Sequence, residues 1–100
     1  MTDQNNFNDA KRHINENLDA LLTTLNRHSD SDVDGVEAEE LREHPDGNLG
    51  VLISYLETKD GATTTSYAIY DQWGNVIFSE DWDKSCWNES KIIFDPASAQ

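Results

Sequence analysis

Asp30-Ser31-Asp32-Val33-Asp34-Gly35 sets three carboxylates at alternate positions ahead of a glycine. Hard oxygen ligands in that spacing, followed by a glycine that permits a sharp turn, form the first half of an EF-hand calcium loop, which lies between two helices. The second half departs from the pattern. The family places an apolar residue eighth in the loop and a bidentate Glu twelfth, whereas Val36 is seventh here, Glu40 eleventh, and Leu41 stands in the Glu's place. A shortened loop would bind calcium through Asp30, Asp32, Asp34 and Glu40. That is kept as an alternative, and no metal is the favoured expectation.

Other chemistry has less support. Cys86 is the single cysteine, and His13, His28 and His44 are widely separated. No nucleophile elbow, phosphate-binding glycine loop or zinc-ligand spacing surrounds any of them. The expectation is therefore a protein that is not an enzyme and has no cofactor.

Charge is the most informative property of the chain. Its 100 residues carry twenty Asp and Glu against seven Lys and Arg, a net charge of -13. A solubility requirement alone asks for a magnitude of about 2 to 8 in a small domain. Such a field repels nucleic acids and anionic membranes and steers the chain towards basic proteins. The acids fall in two tracts. Asp30, Asp32, Asp34, Glu37, Glu39, Glu40 and Glu43 form the first, and Asp71, Glu80, Asp81 and Asp83 lie in the second, interleaved with Trp73, Trp82 and Trp87. Trp is enriched at binding hot spots, where a ring fills a pocket while surrounding charges steer association. These residues are the candidate partner-binding set.

The elements that must position them follow from periodicity. Phe7, Ile14, Leu18, Leu21, Leu22 and Leu25 form one helical stripe, which predicts a helix over 6–28 with Asn6 as its N-cap. Residues 29–48 read as an acidic loop and a short second helix ending at Pro45. Residues 49–94 read as an antiparallel meander, with turns at "TKDGA" and "QWGN" and strands rich in β-branched and aromatic residues; 95–100 are a tail. Tyr67 and Phe78 are expected in the core against the helix. The predicted class is α+β, one small domain in which a helix packs on three or four antiparallel strands.

In size and acidity the chain is similar to the small phage and plasmid proteins that disarm restriction enzymes, CRISPR effectors or uracil-DNA glycosylase. That likeness of class implies a DNA-mimicking inhibitor of a basic DNA- or RNA-binding enzyme. An immunity protein against a nuclease toxin, a calcium module and an acidic secretion chaperone are the alternatives, with monomer or homodimer open. The start "MTDQNNFNDA" lacks a basic, apolar leader, no stretch reaches membrane-span length, and a lone cysteine suits a reducing compartment, so the cytoplasm is the expected location.

Overall fold

The computed structural model describes residues 2–97. Two helices, α1 (Thr2–Glu16) and α2 (Leu18–Ser29), precede strands β1 (Asp32–Glu43), β2 (Leu49–Lys59), β3 (Ala62–Asp71) and β4 (Val76–Phe78). A strap of short helical turns, including α3 (Trp82–Ser85), then leads to β5 (Lys91–Phe94). The strands form one five-stranded antiparallel sheet in the order β4-β3-β2-β1-β5. The helices and the antiparallel sheet make the chain α+β, as its periodicity predicts.

The single helix expected over 6–28 is two, and Asn6 lies within α1 rather than capping it. The break falls at Asn17, whose side-chain Nδ2 donates to the His13 carbonyl at 2.9 Å, competing with the helical ladder. Its backbone N–H is shared between the His13 and Ile14 carbonyls. The apolar stripe still faces one way. Phe7, Ile14, Leu21 and Leu25 are buried with Val33, Leu41, Val51, Ile53, Tyr55, Ala68 and Tyr70. Phe7 meets Phe94 with ring centroids 5.3 Å apart, which ties α1 to β5.

The largest correction concerns residues 32–43. The expected loop and short second helix are a strand, so the sheet has five strands rather than three or four and begins well before residue 49. Glu, Leu and Arg favour helix intrinsically, but tertiary context overrides that preference. Leu41 pairs with Val51 and Ala38 with Ile53, burying apolar side chains under the helices. Register shifts between Asp34 and Glu37 and between Ala38 and Glu40 break the alternation that would have marked a strand. The meander is also incomplete, because the chain leaves β4 and crosses to the far edge, where β5 pairs with β1.

The expected turns form. Asp60 (φ 52°) and Gly61 (φ 80°) both have positive φ, as a two-residue type I′ hairpin loop requires. At the other end of the sheet, Gln72 accepts from the Leu49 N–H through Oε1 (2.9 Å) and donates its own N–H to the Leu49 carbonyl (3.1 Å). Ala97 N–H bonds Asp95 Oδ1 at 2.9 Å, and the remainder of the expected tail, 98–100, lies outside the described residues. No described helix is long and apolar enough to cross a membrane.

Candidate protein-docking face

The sheet has two faces. Val51, Ile53, Tyr55, Ala68 and Tyr70 point to the helices, so their neighbours Leu52, Ser54, Leu56, Tyr67 and Ile69 point away from them. β1 adds Asp34 opposite Leu56, Glu37 opposite Ser54 and Glu40 opposite Leu52. Glu39 joins them through a 2.6 Å bond donated by Ser54 Oγ.

The strap covers the end of this outer face nearest Gly50. Trp87 packs there so closely that a Cβ on Gly50 would lie 2.7 Å from its Cη2 and 2.8 Å from Ile69 Cγ2. Arg42 fastens the same end. Its Nε and Nη2 donate to Glu40 Oε1 at 2.9 and 2.8 Å, and its Nη1 donates to Ser90 Oγ at 3.1 Å. Towards the Asp60–Gly61 hairpin the face stays open, with Leu56 41% and Tyr67 45% exposed. Tyr67 therefore leaves the core position expected of it. Phe78 does face the helices, stacked on His28 of α2 with centroids 3.5 Å apart.

The candidate residues sort into several places. Asp34, Glu37 and Glu39 flank the open half-face, and like Asp30 and Asp32 they have no ion pair with a described Lys, Arg or His. Glu40 is consumed by Arg42, and Glu43 has Lys91 at 3.9 Å. Asp71 is buried, and its Oδ1 accepts from the N–H groups of Trp73 and Asn75 to shape the β3–β4 turn. Burial excludes it from a contact surface. The same holds for Trp87, 6% exposed and part of the packing rather than an anchor. Trp82 is half-buried and spends its indole N–H on the Ile77 carbonyl.

Trp73 alone among the tryptophans is largely exposed, at 63%. It sits in the β3–β4 turn, at the opposite end of the sheet from Leu56, about six residues or roughly 20 Å along β2. Asp81 pairs with Lys84 at 3.6 Å, and Glu80 bonds His28. Glu80 lies below the usual carboxylate range, first because of a backbone N–H and then through that His28 bond. The second tract is therefore partly engaged, through His28 and Lys84. The exposed ring that accompanies the first tract is Tyr67, which sequence reasoning placed inside; its signal was the alternation Thr63, Thr65, Tyr67, Ile69 on one face.

The calcium alternative loses its frame. Asp30 ends α2 in the left-handed region (φ 53°), Asp32 and Asp34 already belong to β1, and no helix follows. Gly35 (φ 62°) sits in the bulge, where a Cβ would meet Leu56 Cδ1 at 3.2 Å. The Asp-rich spacing followed by Gly is thus a helix end running into a bulged strand. Among the described residues no group of three or more His, Cys, Asp or Glu is placed to hold a metal ion.

The groups with chemical potential are engaged in structure. Tyr70 Oη bonds His13 Nδ1 at 2.9 Å, between two small clefts, one beside α1 and about 320 Å³, the other smaller and beside α2. His44 faces the Ser85 carbonyl through Nε2 at 2.6 Å and Asp46 Oδ1 through Nδ1 at 2.8 Å, its ring edge-on to Trp87. Two acceptors favour the imidazolium, and the Ser85 carbonyl is the main reason that its pKa is raised. Cys86 is held as a thiol, because its hydrogen bond with Glu89 and burial push its pKa up. Burial, with Glu57 and Glu80 nearby, pushes the Tyr55 phenol to about 12, so it stays neutral in the core.

No family model, curated protein or solved structure matches the chain.

Proposed function

We propose that the chain is a non-enzymatic, acidic docking domain that occupies the basic surface of a nucleic-acid-binding protein in place of DNA or RNA. The observation that carries this reading is the open half of the outer sheet face. Carboxylates without cationic partners among the described residues, at Asp34, Glu37 and Glu39, are mounted on β1 beside the exposed side chains of Leu56 and Tyr67.

A strand is a rigid mount. Alternate residues stand about 6.8 Å apart along it, equal to the rise of two phosphate steps on one DNA strand. The two bulges of β1 make the spacing of Asp34, Glu37 and Glu39 uneven, but carboxylates held on a paired strand still present a basic channel with charge of that scale, without the ordering entropy a flexible acidic tail would lose on binding. Tyr67 and Leu56 supply area for short-range contact, and the field of -13 supplies steering. An immunity protein for a nuclease toxin would use the same face; a toxin gene beside this one distinguishes that case.

The test is capture from a bacterial lysate on immobilised wild-type protein and on a Glu37→Lys/Tyr67→Ser variant, with elution by duplex DNA or by salt. Recovery of a DNA- or RNA-binding protein by the wild type alone, released by duplex DNA, supports the reading. A ligand that both proteins retain, or that nucleic acid does not displace, overturns it.

A further inference from the structure

The two long edges of the sheet are built differently. On the β5 side, β5 pairs only with Leu41–Glu43, leaving β1 open from residue 32 to 40. That stretch carries Asp32, Asp34, Glu37, Glu39 and Glu40 and two register shifts. Charges and bulges are the devices that keep an edge from pairing with another strand. On the other side, β4 pairs only with Ala68–Tyr70, and the turn Ser79–Asp81 that follows it packs beside β3, leaving residues 62 to 67 without a strand partner. Here the sequence is Ala-Thr-Thr-Thr-Ser-Tyr, with no charged residue and no proline, and its pairing with β2 runs without a shift from Lys59↔Ala62 to Gly50↔Asp71. This edge has neither protection.

We infer that the open edge of β3 pairs antiparallel with the same edge of a second copy, joining two sheets across a twofold axis. The parity of the strand says which groups are free. A two-residue loop at Asp60–Gly61 makes Lys59 and Ala62 a hydrogen-bonded pair, so the even-numbered residues of β3 bond β2. The odd-numbered residues then turn their N–H and C=O outward, as Asp71 does when its N–H meets the Asn75 carbonyl on the β4 side at 2.9 Å. Thr63 and Thr65 are the corresponding residues of the open stretch.

The uncharged, Thr-rich make-up of residues 62–67, which is complementary to itself and offers a basic partner no carboxylate, selects a second copy as the occupant. Two chains of -13 repel wherever carboxylates face each other. A twofold axis sets each residue against its equivalent or a near neighbour, so the contact must fall on an uncharged, self-complementary segment. Residues 62–67 are such a segment, and Thr–Thr cross-strand pairs are favourable. Register follows from β4. Centring the axis on Thr65 would bring Ala62 against Ala68 of the second copy, where Phe78 already pairs. Centring it on Thr64 avoids that and pairs Thr63 with Thr65 in both directions, giving about four backbone hydrogen bonds. The association is weak, is strengthened by salt, and leaves Leu56 and Tyr67 facing outward on both copies.

Sedimentation equilibrium from micromolar to millimolar protein, at low salt and at about 1 M where the Debye length is about 3 Å, tests this directly. A dimer whose population rises with concentration and salt is expected. Thr65→Pro should weaken it by about tenfold or more, with unchanged circular dichroism and melting temperature, since the parity of β3 turns the Thr65 N–H away from β2 and β4 does not reach it. Thr64→Cys in a Cys86→Ser background should form an interchain disulfide on mild oxidation, because residues facing across the axis as a non-hydrogen-bonded pair come within disulfide reach. This variant decides the matter if Thr65→Pro unfolds. A strict monomer at millimolar protein and high salt, a dimer indifferent to Thr65→Pro, or a Thr64→Cys variant that cross-links no faster than Thr58→Cys at an exposed position of β2 overturns the inference. A monomer that loses its captured target through Thr65→Pro would assign the edge to a foreign strand and equally overturn self-pairing. The sedimentation and cross-linking outcomes do not depend on the docking face.

Discussion

Trp87 lies against the backbone of Gly50, leaving no room for a side chain there: a Cβ would approach the indole Cη2 to 2.7 Å. The contact seats the strap on the outer face and leaves the other half of that face open. Gly50→Ala must displace the indole or Ile69, and overpacking of this kind costs about 2 kcal/mol. Urea denaturation should show that loss with an unchanged m-value. A variant as stable as wild type would mean that the strap is not seated on β2.

The tryptophans should separate in a quenching experiment. Acrylamide, being neutral, reaches exposed Trp73 without opposition from the charge, whereas Trp87 is protected. Trp73→Phe should remove most of the quenchable emission. Trp87→Ala should cost about 3 to 5 kcal/mol, and Trp73→Ala should fall within about 0.5 kcal/mol of wild type.

Stability should respond to pH through His44. Its folded pKa is raised, first by the Ser85 carbonyl and further by Asp46, so its contribution is fully present below the unfolded value of about 6.5 and is lost as pH rises through the folded value. Asp46 works in the opposite sense. Its pKa is lowered, chiefly by the Asn48 N–H, so its contribution is present above the ordinary carboxylate range and lost as pH falls through the folded value. Melting temperature should therefore decline as pH rises above about 6.5 in wild type and less steeply in His44→Gln. Parallel profiles would remove His44 as the cause.

Calcium at millimolar concentration should leave the melting temperature unchanged, because the Asp-rich segment is a helix end and a bulged strand. Gly35→Ala, by contrast, should destabilise the chain by about 1 to 2 kcal/mol through its positive φ and its closeness to Leu56. A calcium-induced rise of several degrees would restore the metal reading.

Charge reversal discriminates between the two acidic tracts. Glu37→Lys with Glu39→Lys should weaken partner binding by about tenfold or more and flatten its salt dependence. Asp81→Lys with Asp83→Lys should have less effect, since Asp81 already has Lys84 beside it and both acids lie on the strap. Binding constants measured across a salt series check both. The reverse order of effects would move the docking surface onto the strap.

The sequence by itself determined the helical stripe from Phe7 to Leu25, the β2–β3 hairpin, the turns at Asp60–Gly61 and at Gln72–Asn75, and the charge that governs which partners the chain can meet. These depend on periodicity, on residues that tolerate positive φ, and on composition, all local or additive properties. Tertiary structure alone decided that residues 32–43 are a strand, because two bulges conceal its alternation and its partner lies on β2. It also decided which side of the sheet each ring occupies. Tyr67, Trp82 and Trp87 look alike in a list of aromatics, yet one is open, one is half-buried and one is sealed over Gly50. That distinction arises where the strap crosses from β4 to β5, a long-range connection whose path no local pattern encodes.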